Sequence, residues 1–175
     1  CACSNEMARY ITTYHRESHW WVDASHSLGW LKEGGDFPVR FLWAVPWNPQ
    51  PSHITMRARF TNKDKGGTPD IVAPLFFGRN LNSSYNDRDP IEVEIPADAA
   101  RVELVSIITG HGQTGDYTCA EFCRTDHIFT VGEATYETEL TNAGTQQGCE
   151  NLVPEGVVPN QAGTWWYGRN GWCPG

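Results

Sequence analysis

Positive charge is scarce in this sequence. Its 13 Lys and Arg stand against 21 Asp and Glu, giving a formal net charge of -8. Binding to nucleic acid rests on Lys and Arg neutralising phosphates, so that class of partner is excluded. No polybasic run and no long apolar stretch occurs, so neither a membrane surface nor a membrane span is predicted. No G-x-S-x-G elbow is present, and no Gly-rich loop follows a strand and opens a helix, so a serine nucleophile and a phosphate cradle are both unsupported. The chain opens on Cys1 rather than Met, without a signal-like apolar segment, which reads as a removed leader or a fragment.

Aromatic residues and cysteines, by contrast, are well represented. Hydrophobic residues make up 39% and aromatics 12% of the 175 residues, including 8 Trp. That composition folds, with length for one good core or two small ones. Tryptophans fill β-sandwich cores, and in surplus they also offer flat faces on which sugars stack. The six cysteines, at 1, 3, 119, 123, 149 and 173, suit an oxidising compartment. The short pairs C-x-C and C-x3-C lie more than a hundred residues apart, unlike the paired spacing of a structural zinc site. A Cys1–Cys3 bridge would be strained, since disulfide Cα atoms prefer about 5.5–6 Å.

Strand patterns dominate. "MARYITTYH", "RFLWAV", "HIFTV" and "TYETEL" are rich in β-branched and aromatic residues. "HITMRARF" places Ile54, Met56, Ala58 and Phe60 on one face; "IEVEIPA" turns Ile91, Val93 and Ile95 inward, and "RVELVSIIT" comes next. Half-buried strands between Gly, Pro, Asn and Asp turns predict an all-β, antiparallel sandwich or jelly roll. Only "DASHSLGWLKEGG" suggests helix, a turn or two long, with Asp23 or Ser25 as cap and Gly34-Gly35 as stop. "TNKDKGGTPD", residues 61–70, reads as a linker or a long hairpin loop. Asn82-Ser83-Ser84 is an N-glycosylation acceptor pattern, relevant only in a eukaryotic secretory host.

The stretch with most chemical content is "CAEFCRTDH", residues 119–127. A bridge between Cys119 and Cys123 would close a tight loop and pin Glu121 at its apex. A carboxylate that acts on a water or an amide needs such a fixed direction. The competing reading is an exposed glutamate on a stapled surface loop. The two-residue dithiol spacing of redox motifs is absent. A bridge between Cys149 and Cys173 would enclose Trp165, Trp166, Tyr167, Arg169 and Trp172 in a Gly-rich frame. Those rings form either a platform for a polar, ring-shaped ligand or the packing of the loop itself. Among the six histidines, His15, His19 and His26 crowd one stretch, and His111 lies just after a strong strand pattern. Converging imidazoles would suit copper or zinc, but His-x3-His shares a face only on a helix, and this stretch reads as strand and loop.

"CAEFCRTDH", "ITGHG" and "GRNGWCPG", in this order and spacing, resemble the second domain of the peptide-N-glycosidase F family. "EMARYITTY", with "VDASHSLGWLKEGG" after it, resembles the later part of that family's first domain. The resemblance implies two antiparallel jelly rolls side by side, a fold shared with copper-dependent peptide and catecholamine monooxygenases. Residues 1–65 would belong to the first and 66–175 to the second, which would lack its last strands. Family enzymes hydrolyse the amide between N-acetylglucosamine and asparagine, so the implied partner is an N-linked glycan or glycopeptide and no cofactor is implied. Glu121 matches the catalytic glutamate in the disulfide clip. Arg169 matches a substrate-binding arginine, and Trp47 matches an aromatic at the glycan site. Phe122 and His111 stand where the family has active-site tryptophans. Cys119 with Cys123, and Cys149 with Cys173, match disulfides.

The departures are specific. The family's principal catalytic aspartate lies in a W-D-R stretch upstream of the segment matching "EMARYITTY", beyond this chain's start. Val45 stands where the family has a second acidic residue. Each jelly roll would be incomplete, exposing strand edges that flanking segments or a second chain would cover. Two alternatives remain. One is a copper- or zinc-binding oxidoreductase relative using His15, His111 and His127, although the monooxygenases use a Met ligand and only Met7 and Met56 are available. The other is a non-catalytic glycan- or peptide-binding relative. All three are expected outside the cytoplasm: secreted, periplasmic or at the cell surface.

Overall fold

The computed structural model describes residues 5–10, 17, 19–42, 53–62, 68–80, 82–110, 122–141, 145 and 149–155. The backbone divides into two compact units, residues 1–23 with 73–175, and residues 24–72.

In the first unit, strands β1 (Asp126–Val131) and β2 (Ala134–Glu139) form an antiparallel hairpin. These are the stretches "HIFTV" and "TYETEL" whose composition predicts strand. Gly132 opens the two-residue turn at φ 61°, a left-handed conformation that primed hairpin turns need and that glycine adopts without steric cost. The register pairs Phe129 with Tyr136, His127 with Thr138 and Thr130 with Thr135. Aromatic pairs and threonine pairs of this kind each contribute roughly 0.2–1 kcal/mol over alanine. One further bond, from the Leu140 N–H to the Thr125 carbonyl, at 3.1 Å, carries the pairing just past the strand ends.

A second ordered region surrounds residues 76–90. The Arg79 guanidinium donates to the carbonyls of Ser84 (2.7 Å), Tyr85 (2.8 Å) and Asp87 (2.7 Å). Arg88 lies over the rings of Phe76 and Tyr85, at 4.7 and 5.1 Å from their centroids. A cation above a ring face is held by the ring's quadrupole. Together these contacts shape the loop around its turns.

In the unit of residues 24–72, a 3₁₀ turn at Ser25–Ser27 runs into helix α1, Leu28–Leu31. The predicted short helix is therefore present, and it ends where expected. The Gly34 N–H bonds to the Leu31 carbonyl at 3.1 Å, and Gly34 and Gly35 take φ of 70° and 105°. The expected side-chain cap is absent. Ala24 and Ser27 occupy the two cap positions without a side-chain bond, and a backbone bond from the Ser27 N–H to the Ala24 carbonyl (2.9 Å) closes the first turn instead. Residues 69–72 lie against α1. Trp30 Nε1 donates to the Val72 carbonyl at 3.2 Å, Lys32 pairs with Asp70, and a methyl at Gly29 would come within 2.7 Å of Val72. Close approach here requires glycine.

Beyond the hairpin, the strand expectations differ from the structure. Residues 53–60, 91–95 and 101–105 form no hydrogen-bonded ladder among the described residues. The apolar faces read from the sequence are exposed: Ile54, Met56 and Phe60, then Ile91, Val93 and Ile95; Val102 and Leu104 in the following stretch are exposed as well. The physical reason is that alternation marks which face needs covering without supplying the cover. A half-buried strand requires a neighbour in the sheet and a layer behind it. Among the described residues helix is confined to a few short turns and the sheet is an antiparallel hairpin, consistent with an all-β chain.

Candidate functional site

The C-terminal half of "CAEFCRTDH" leads directly into β1. Phe122, half-buried, and Cys123, exposed, lie in the bend that precedes the strand. Cys123 is disulfide-bonded, as is Cys149, whose side chain is buried ahead of a 3₁₀ turn at Glu150–Glu155. Arg124 reaches across the hairpin to the Glu139 carboxylate at 3.5 Å. The Thr125 carbonyl takes the Leu140 N–H. Three successive residues after Phe122 are thus each tied to another part of the chain: Cys123 by sulfur, Arg124 by an ion pair, Thr125 by the backbone.

His127 sits inside β1, half-buried, with Nε2 hydrogen-bonded to the Thr125 hydroxyl at 2.9 Å. Burial lowers its pKa from the ordinary 6.5, and the charge of Asp126 offsets this only in part. The ring is therefore neutral at pH 7, and one of its nitrogens is committed to Thr125. No group of three or more His, Cys, Asp or Glu side chains placed to hold a metal occurs among the described residues.

A second anchor lies beside the "ITGHG" stretch. The Arg9 guanidinium grips the Glu6 carboxylate with two bonds of 2.5 Å and also donates to the Thr109 hydroxyl. Bidentate pairs of this kind are among the most directional in proteins. Residues 6–9 and the end of the 101–109 segment are held together, two positions before His111, and Gly110 is buried. Sequence reading missed this clasp. The Glu6–Arg9 spacing is visible in the chain, but nothing local points to a partner 100 residues away.

Of the residues singled out in the sequence, Phe122, Cys123 and His127 thus gather at the entry to β1, while Cys149 lies ahead of the later 3₁₀ turn. Glu121, Cys119, His111, Arg169, Trp47, Cys173 and His15 lie outside the described residues.

Among known protein families, the model described as Peptide-N-glycosidase F, C terminal, matches residues 80–175. No curated protein and no solved structure matches the chain. The matched span contains the hairpin, "CAEFCRTDH", "ITGHG" and "GRNGWCPG", together with both disulfide-bonded cysteines described.

Proposed function

This chain belongs to the peptide-N-glycosidase F family through its C-terminal domain, and from that premise we propose that it serves hydrolysis of the N-acetylglucosamine–asparagine amide of N-glycoproteins. The observation that carries this reading is the anchoring of residues 123–125, which begin two positions after Glu121. A carboxylate contributes to catalysis when its direction is fixed before substrate arrives. The clip formed by Cys119 and Cys123 would brace Glu121 from both sides, and the hairpin anchors the C-terminal arm of that clip.

In this reading water attacks the side-chain carbonyl carbon of the glycosylated asparagine. The carbon–nitrogen bond breaks, the glycosylamine nitrogen takes a proton, and aspartate remains on the peptide. Glu121 orients the water or polarises the amide. Arg169 and Trp47 bind the core sugars, with Phe122 and His111 beside them. In the family pattern the principal aspartate lies upstream of the segment that "EMARYITTY" resembles. Flanking segments or a second chain cover the apolar faces at 54–60 and 91–104 and complete two jelly rolls, divided near residues 65–66. Cys119 pairs with Cys123 and Cys149 with Cys173, consistent with secretion to the periplasm, the cell surface or the medium. No helix among the described residues is long and apolar enough to cross a membrane.

The test is release of intact N-glycans from a denatured glycopeptide by the protein with its native flanks. Release that disappears in Glu121→Gln supports the assignment; well-folded protein without release refutes it. Val45, in place of an acidic residue of the family, favours a second reading, glycan binding without turnover. A glycopeptide that binds and is recovered uncleaved would establish it. A metal-dependent oxidoreductase using His15, His111 and His127 requires stoichiometric copper or zinc in the purified protein. Folded, metal-free material would remove it.

A further inference from the structure

The loop braced by Arg79 contains the one Asn-x-Ser/Thr triplet in the sequence, Asn82-Ser83-Ser84. All three residues are exposed. The Asn82 side-chain oxygen Oδ1 accepts from the Ser84 N–H at 3.1 Å and from the Ser84 hydroxyl at 2.9 Å. The Tyr85 N–H closes the turn on the Asn82 carbonyl at 3.0 Å. Both bonds to Oδ1 draw electron density away from the amide nitrogen, and Nδ2 has no partner among the described residues. The arrangement leaves the nitrogen accessible and makes its protons easier to remove. The triplet alone is a frequent chance pattern; here its first and third side chains engage each other on a surface turn.

We propose that Asn82, in a eukaryotic secretory host, is an acceptor for N-linked oligosaccharide transfer. The donor class is a lipid-pyrophosphate-linked oligosaccharide, delivered by a membrane-bound transferase. Nδ2 forms a bond to the anomeric carbon, the bond from that carbon to the pyrophosphate oxygen breaks, and the lipid pyrophosphate leaves with the electron pair. One Nδ2 proton passes to a base of the transferase. Ser84 acts through Asn82, holding the amide oxygen so that the nitrogen faces outward. A consequence rests on the proposed amidase function: the product at Asn82 is the linkage that such an enzyme cleaves, so the chain would be a substrate of its own activity and would end with aspartate at this position.

The experiment is translation of the full chain behind a cleavable leader into transferase-containing microsomes, in a Glu121→Gln background that prevents self-cleavage. The protease-protected chain is expected to shift by one oligosaccharide. The shift disappears in Asn82→Gln and Ser84→Ala, and persists in Ser83→Ala and Ser84→Thr. A protected chain that does not shift, in membranes that modify a control acceptor, overturns the proposal. So does a shift that survives Asn82→Gln. The amidase consequence is read separately, as peptide mass at residue 82 in protein that retains Glu121 and its native flanks. Aspartate that requires Ser84 marks transfer followed by hydrolysis, whereas spontaneous deamidation would continue in Ser84→Ala. A glycan that persists there leaves the acceptor assignment standing and counts against self-cleavage alone.

Discussion

Residues 91–109 and residues 126–139 have nearly the same strand patterning and different outcomes. "IEVEIPADAARVELV" alternates more cleanly than "DHIFTVGEATYETE", yet only the second forms a ladder among the described residues. The difference lies in the connection. β1 and β2 are joined by two residues, with Gly132 in the left-handed conformation that turns a strand back on its neighbour. Between Ile95 and Arg101 the chain runs through Pro96, and its turn closes with an Ala99 N–H to Pro96 carbonyl bond at 3.0 Å. That turn redirects the chain without setting a register. A side-chain pattern states which face is apolar; the turn decides whether the adjacent segment becomes its partner.

The largest effect is expected on the N-terminal flank of the hairpin. If the anchored bend exists to direct Glu121, Glu121→Gln lowers kcat about 100-fold or more, within the range typical of a lost general acid or base. Thermal stability should stay within about 0.5 kcal/mol of wild type, since Gln keeps the size and shape of Glu. A kcat unchanged by the substitution would separate the hairpin from catalysis altogether.

Next in size is the turn itself. Gly132→Val forces a β-branched residue to a φ of 61° and should destabilise the hairpin by about 1–2 kcal/mol. Hydrogen exchange at Phe129 and Thr138 would report the loss. Ala99→Val, in the turn between residues 91–95 and 101–105, should change exchange little. Equal effects in the two turns would show that the connection does not account for the difference.

Protonation of His127 offers a reversible probe of the same element. Its folded pKa lies below 6.5, so between those two values the unfolded chain binds a proton that the folded chain does not. Stability attributable to this residue is complete above pH 6.5 and declines as pH falls through the window towards the folded value. His127→Gln should flatten that part of the stability profile in a paired urea titration. A profile that keeps its slope would place the acid sensitivity elsewhere.

The elements legible in the sequence were those specified by neighbours in the chain. The hairpin was readable from alternation and Gly132, the short helix from Leu28, Leu31 and the Gly34-Gly35 stop. Even there, the cap was misjudged, because a backbone bond to Ala24 closed the turn that Asp23 or Ser25 was expected to cap. The family was legible from "CAEFCRTDH", "ITGHG" and "GRNGWCPG", since each of these motifs is a contiguous string in the chain. What escaped were contacts between distant residues, Arg9 with Thr109 and Lys32 with Asp70, and the local bracing of Arg79 on the carbonyls of its own loop. Arginine and threonine are ordinary surface residues until the fold brings them together, and one-dimensional patterning carries no term for that.

The smallest expected effect tests the other side of the contrast. Val93 is 46% exposed and lies on a face that has no ladder partner among the described residues, whereas Phe129 is half-buried and pairs with Tyr136. Truncating an exposed valine removes little area from contact, so Val93→Ala should shift stability by less than about 0.5 kcal/mol. Phe129→Ala should shift it more, since it loses a cross-strand aromatic pair worth up to about 1 kcal/mol together with part of its burial. Repeating both substitutions with the native flanks in place gives the informative difference. If those flanks cover the 91–104 face, Val93→Ala becomes costly there, in the range of a buried methylene loss or above, roughly 1 kcal/mol. Phe129→Ala keeps its value, because its partner strand is already supplied by β2. A Val93→Ala effect that stays small in both settings would mean the alternating face is a solvent-exposed surface that nothing else covers.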